Sequence, residues 1–163
     1  MALMVIYMLL ETASSDEDYL TKLFSRKSFD THLSYLSQTG KDFGVVLFDL
    51  DDFKEINDRY GHQAGDDVLK SFADALKESF KKTGLTARIG GDEFAVIVYD
   101  DIIDARIDTL NALLRGHGSP LIREMSYSYG FQKHADGMTP DALFSAADHR
   151  MYARKQAIKA QII

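Results

Sequence analysis

Apolar positions recur with two periods along the chain. Between residues 26 and 38, Phe29, Leu33 and Leu36 lie at spacings of four and three, which predicts an amphipathic helix. The run VVLF (45–48) is continuously apolar and ends in acids, the pattern of a strand buried on both faces. Leu69, Phe72, Ala73, Leu76 and Phe80 form a helical stripe, with Asp66 and Asp67 near its positive N-terminal end. LTARI (85–89) and EFAVIV (93–98) flank a Gly-Gly-Asp turn, and glycine's tolerance of positive φ predicts a tight β-hairpin. Residues 102–115 read as helix, and REMSYSYGF (123–131) alternates like a strand. Thr139, Pro140 and Asp141 then open a helix that continues through LFSAADHRMYARKQA. The order helix, strand, two helices, hairpin, helix, strand, helix predicts an α+β sandwich with a mostly antiparallel sheet, ferredoxin-like in topology.

Composition narrows what such a sandwich can do. The 163 residues, 45% of them hydrophobic, suffice for one domain with a real core, and neither repeat nor linker divides them. A formal charge of −6 argues against nucleic acid as a partner, because phosphate neutralisation needs a basic surface. The absence of cysteine removes disulfides, thiolate nucleophiles and zinc-thiolate sites, and fits a cytoplasmic setting. The opening MALMVIYMLL has half the length that spans a bilayer and lacks the basic start of a secretory signal. It reads as a docking helix, the stub of an upstream signalling helix, or the exit of a truncated membrane segment. We therefore divide the chain into an N-terminal helix or linker stub (1–17) and one folded domain (18–163).

Candidate chemistry concentrates in two acidic motifs. FDLDDFKEIND (48–58) sets Asp49, Asp51 and Asp52 directly after a buried strand, either as a solvated acidic loop or as ligands of a hard divalent cation. An EF-hand is a poorer fit, since the positions that need an oxygen ligand and glycine hold Phe53 and Lys54. Asp92 and Glu93 occupy the hairpin turn, where they serve as surface acids or, if the strand at 45–48 neighbours the hairpin, converge with Asp49 on a metal and a nucleoside triphosphate. Lys155 and Lys159 share one helical face, as do Arg150 and Arg154, either as a solvated face or as phosphate contacts. Lys54 lies near a helix N-terminus, which favours anions. Asp66 either caps a helix or accepts two N–H bonds from a guanine edge. The alternating Tyr127 and Tyr129 fit a core strand better than a stacking platform. Walker, GxGxxG, GxSxG and HExxH motifs are absent, and the five histidines lack metal-ligand spacing.

Taken together, DYLTKLFSRKSF (18–29), DLDDFKEINDRYGHQAGDDVL (49–69), RIGGDEFAVIV (88–98), SYG (128–130) and AADHRMYARK (146–155) resemble, in order, the GGDEF family of diguanylate cyclases. The resemblance implies a nucleotidyl-cyclase-like sandwich that condenses two GTP into cyclic di-GMP. It implies that Asp49, Asp92, Glu93 and the Leu50 carbonyl hold two Mg2+ ions per active site, or Mn2+ in their place, with Glu93 also able to deprotonate the attacking hydroxyl. GTP contacts are implied for Phe53, for Asn57 and Asp66 at the guanine, and for Lys54, Lys155 and Lys159 at the phosphates. The implied partners are a second copy of the domain, transiently facing the first, and an upstream sensory region. The implied location is the cytoplasm, free or as the cytoplasmic part of a membrane-anchored protein. Several positions depart from the family pattern. Lys81 and Gly84 stand where many members carry the RxxD motif of an inhibitory product site, Lys22 and Ile158 replace frequent glycines, Ser25 a frequent asparagine, and Lys159 an arginine. These departures leave a second expectation beside the first, a GTP-binding module that regulates a partner domain with little or no turnover.

Overall fold

The computed structural model describes residues 16–161. The helix or linker expected over 1–17 lies outside them except for Asp16 and Glu17. Four strands, β1 (Gly44–Leu50), β2 (Gly84–Arg88), β3 (Glu93–Val98) and β4 (Tyr127–Lys133), form one sheet in the order β2-β3-β1-β4, with every neighbouring pair antiparallel. Among the described residues six helices accompany them: α1 (Arg26–Leu36), α2 (Phe53–Tyr60), α3 (His62–Ser79), α4 (Ile103–Arg115), α5 (Pro120–Glu124) and α6 (Pro140–Gln161). The topology is the ferredoxin-like one that the element order predicts.

The continuous apolar run of β1 has the expected cause, since helices cover both faces of the sheet. Val46, Phe48 and Leu50 join Phe94, Val96 and Val98 of β3 in one core with Val68, Phe72 and Leu76 of α3 and Ile107 and Leu110 of α4. Val45 and Leu47 point the other way, with Ala95 and Ile97, against Phe29, Leu33 and Leu36 of α1 and Leu143, Ala147 and Met151 of α6. Phe48 and Phe72 meet edge-to-face at 6.0 Å, and both are fully buried. Truncating such a ring to alanine removes about 3–5 kcal/mol. These cores hold the end of β1 rigidly beside the β2–β3 turn.

Two local features differ from expectation. The strand read at 123–131 begins only at Tyr127, which pairs with Leu50, the last residue of β1; past that pair a single bond follows, from the Asp51 N–H to the Ser126 carbonyl, before the chain turns into α2. Pro120 instead opens the short helix that contains Arg123 and Glu124. The sheet also gains an edge contact that periodicity does not reveal. Phe24 accepts from the Arg88 N–H at 2.9 Å and donates to the Thr86 carbonyl at 3.1 Å, joining the segment before α1 to β2.

Candidate active site

Strand register brings the two acidic motifs together. Asp49 lies directly across from Glu93 in the β1–β3 ladder, and the Leu50 N–H donates to the Asp92 carbonyl at 3.1 Å. The turn is braced from within by Arg88, whose Nη2 and Nε donate to the Gly91 carbonyl at 2.7 and 3.2 Å. Arg88 Nη1 also reaches Asp18 Oδ2 at 3.2 Å, tying the segment before α1 to the hairpin. The turn does not use glycine for positive φ, contrary to expectation. Neither Gly90 nor Gly91 is among the glycines with positive φ. At Gly90 the constraint is space, since an added Cβ would collide with the Glu93 carboxylate.

The electrostatics of this cluster separate its acids. Burial, followed by the charge of Asp49, raises the Asp92 carboxyl above its ordinary range. Burial, then Asp49 and Asp92, does the same to Glu93. Lys155 of α6 supplies the nearest counter-charge, with its Nζ donating to Asp49 Oδ2 at 2.5 Å and standing 3.8 Å from Asp51. Burial opposes the ammonium charge, but the Asp49 hydrogen bond and the Asp49, Asp51 and Asp92 charges outweigh it and raise the Lys155 pKa. The other two acids of the triplet are not aimed at the hairpin. Asp51 is buried and accepts from Ser126 Oγ at 3.0 Å and Ser128 Oγ at 3.1 Å, while its N–H donates to the Ser126 carbonyl at 2.9 Å. Asp52 is exposed, with φ of 55° at the cap position of α2. The FDLDD run thus divides into one acid facing the hairpin, one fixing the chain to β4 and one in solvent.

Carboxylates that resist ionisation in a shared site, with only hard oxygen donors nearby, suit Mg2+. Among the described residues no three His, Cys, Asp or Glu side chains are drawn together tightly enough to hold a metal alone. An ion taking the rest of its shell from water and phosphate oxygens accommodates that arrangement.

A second group of the expected residues gathers where α2 meets α3. A Cβ at Gly65 would strike Asn57 Oδ1 and lie 3.3 Å from Phe53 Cζ, so glycine is what lets the two helices bring these side chains into one corner. Asp66, half-buried, follows directly. Its capping alternative fails because α3 begins at His62, with Gly61 at the cap. Lys54 on α2 and Lys159 on α6 are exposed, and among the described residues neither makes a hydrogen bond or ion pair to the acidic cluster. Sequence reading missed Ser126, Ser128 and the Asp18–Arg88 pair, whose partners lie 75, 77 and 70 residues apart. No local pattern signals contacts of that range.

Comparison with known proteins places this geometry. The model of the family described as "Diguanylate cyclase, GGDEF domain" matches residues 15–161. The diguanylate cyclase DgcS of Shewanella oneidensis is 36% identical over 113 residues, covering 68% of this chain and 38% of its own. The diguanylate cyclase TpbB of Pseudomonas aeruginosa is 37% identical over 155 residues, covering 86% of this chain and 35% of its own. The chain therefore spans little more than a third of the length of these curated relatives. Among solved structures, the isolated GGDEF domain of TpbB superposes with a TM-score of 0.74 at 36% identity, covering 86% of this chain and 89% of that one. The coiled coil and GGDEF domain of DgcB from Caulobacter crescentus, in complex with c-di-GMP, gives a TM-score of 0.79 at 26% identity, covering 96% of this chain and 90% of that one. Among the described residues no helix is long and apolar enough to cross a membrane.

Proposed function

The chain belongs to the GGDEF family of diguanylate cyclases, and from that membership we propose that it condenses two GTP into cyclic di-GMP and two pyrophosphates. The observation that carries the reading is the convergence of Asp49, Asp92 and Glu93 across one ladder, with two of the three carboxyls raised by burial and by their neighbours' charges. Asp49, Asp92 and the Leu50 carbonyl are the proposed holders of Mg2+, which when bound neutralises triphosphate charge and polarises the α-phosphate. Glu93, basic for a carboxylate, is the proposed acceptor of the 3′-hydroxyl proton. Asn57, Asp66 and Phe53 receive guanine, and Lys54, Lys155 and Lys159 receive the phosphates. For Lys155 this requires exchanging its Asp49 hydrogen bond for a phosphate oxygen.

Each 3′-oxygen attacks the α-phosphorus of the facing GTP, forming one P–O bond there and releasing pyrophosphate, and the second attack closes the ring. One domain carries one GTP, so the reaction needs two copies face to face, an arrangement that a two-fold encounter supplies. An upstream sensory region that controls this encounter, and a cytoplasmic location with its GTP supply, complete the proposal. Incubating the protein with GTP and Mg2+ over a series of concentrations should give cyclic di-GMP at a rate that rises faster than linearly with protein, and artificially dimerised protein should make it at a rate linear in protein. GTP binding without product under enforced dimerisation would establish the regulatory module instead.

A further inference from the structure

Two features of the sequence have no part in the reaction above: the arginines on α6 and the Tyr127/Tyr129 alternation of β4. The fold brings them together. The Arg154 guanidinium lies over the Tyr129 ring, 3.9 Å from its centroid. Both wall a cleft of about 440 Å3 bounded by α4, α5, β4 and α6, into which Arg115 from the end of α4 and Arg123 from α5 also face. Arg150 lies outside it, donating to Gln132 Oε1 at 3.0 Å.

The cleft's charge is opposite to that of the protein. Three guanidinium groups line it against a single carboxylate, Asp108, in a chain whose formal charge is −6. Among the described residues, none of the three arginines has a carboxylate ion-pair partner. Guanidinium is weakly hydrated and forked, which suits phosphate oxygens better than a lysine ammonium does. Arg123 is held in place by its bonds to the His117 and Gly118 carbonyls at 2.8 and 2.9 Å. The Tyr127 hydroxyl donates to Asn111 Oδ1 at 2.8 Å, which turns the Asn111 amide hydrogens outward as donors. Burial, then Tyr129, pushes the Tyr127 hydroxyl well above its usual range, so it remains a neutral donor. The cleft thus combines cationic forks, amide donors and an aromatic face, in a volume within the usual range of about 300–1,000 Å3 for small-ligand sites.

We propose that this cleft is a second ligand site, distinct from the Asp49–Asp92–Glu93 carboxylates, that takes a nucleoside monophosphate without a metal ion. The phosphate sits between Arg115 and Arg123, and the base stacks against the Tyr129–Arg154 pair. Occupancy reaches the catalytic end through Ser126, which lines the cleft and binds Asp51 through both its hydroxyl and its carbonyl.

Titrating the full chain with GMP in EDTA, followed by calorimetry and by amide NMR, tests the site independently of turnover. The expected result is saturable binding, with shifts at Ser126, Tyr127, Tyr129 and Arg154 and a second set at Asp51. The double variant Arg115→Ala/Arg154→Ala, made at exposed side chains, should weaken binding at least about tenfold. Tyr129→Leu should weaken it severalfold by removing the stacking face. Absent binding, an unchanged affinity in the double variant, or shifts confined to Asn57, Gly65 and Asp66 would overturn the proposal. Inorganic phosphate binding as tightly as GMP would overturn the nucleotide assignment. Because no step requires metal or product, failure of the cyclase reading would leave this result untouched.

Discussion

The β2–β3 turn is held by one acid in the segment before α1, its base of support, and burdened by others at its own tip, and the two regions answer ionisation in opposite ways. At the base, burial opposes the Asp18 charge, but hydrogen bonds from Thr21 and the Arg88 charge outweigh it and lower its pKa. At the tip, Asp92 and Glu93 lie near Asp49, and burial together with like charge raises both. Asp18 is an acid whose partners were placed with it, a role that stabilises the fold. The tip acids lack sufficient partners among the described residues, a condition that costs stability and leaves them ready for a divalent cation.

If the tip acids serve the reaction rather than the fold, Asp92→Ala and Asp49→Ala should each lower cyclic di-GMP formation by at least about a hundredfold while the far-UV circular dichroism stays native. Turnover retained in either variant would remove the functional half of the contrast. Asp51, two residues from Asp49, belongs with the base. Asp51→Ala should destabilise the protein by about 2 kcal/mol in urea unfolding, because the fully buried Ser128 hydroxyl, and with it that of Ser126, loses its acceptor.

The opposite shifts also give opposite pH profiles. For Asp18 the folded pKa is depressed, so its contribution is present above the ordinary value near about 4 and is lost as pH falls through the folded one. Asp18→Asn should therefore lower the Tm of metal-free protein at pH 7, and the loss should vanish in strong acid. For Asp92 the folded pKa is raised, so the penalty is complete above that value and absent below the unfolded one. Asp92→Asn should raise the Tm of metal-free protein at pH 7, with the gain disappearing as pH falls below the ordinary carboxylate range. Differential scanning calorimetry in EDTA decides it, and matching signs in the two variants would break the comparison.

The contrast also explains what was legible beforehand. The base period of the cores, the β1 run and the α3 stripe could be read because each depends on residues a few positions apart. The tip could be read because five motifs in order resemble one family, which supplied roles that spacing alone left open. Asp51 could not. Its neighbours Asp49 and Asp52 are chemically the same, and only serines 75 and 77 residues away distinguish it. The strand expected from Arg123 failed for a related reason, since alternation persists in the sequence after the partner strand has ended. The Gly90 rationale failed because a required small volume and a required positive φ select the same residue.

Lys22 sharpens the comparison at its weakest effect, because it places strain within the base itself. Its φ of 60° lies in the left-handed region, where a side chain costs about 1 kcal/mol or more, and its N–H closes the Asp18 turn on the Asp18 carbonyl at 2.8 Å. The departure from a frequent glycine noted at this position thus has a conformational reading. Lys22→Gly relieves the strain but loses the ammonium's contact with the Tyr19 ring, 4.8 Å from its centroid, a contact on an exposed ring that is worth little. It also frees the unfolded chain, which offsets part of the gain. The net expectation is a stabilisation of about 0.5–1 kcal/mol, read as a higher urea midpoint with an unchanged slope. Lys22→Ala keeps the positive φ and should bring no such gain. If Lys22→Gly instead destabilises, the Asp18 turn is held in this conformation by its side-chain contacts in spite of the backbone, and the base would be as strained as the tip.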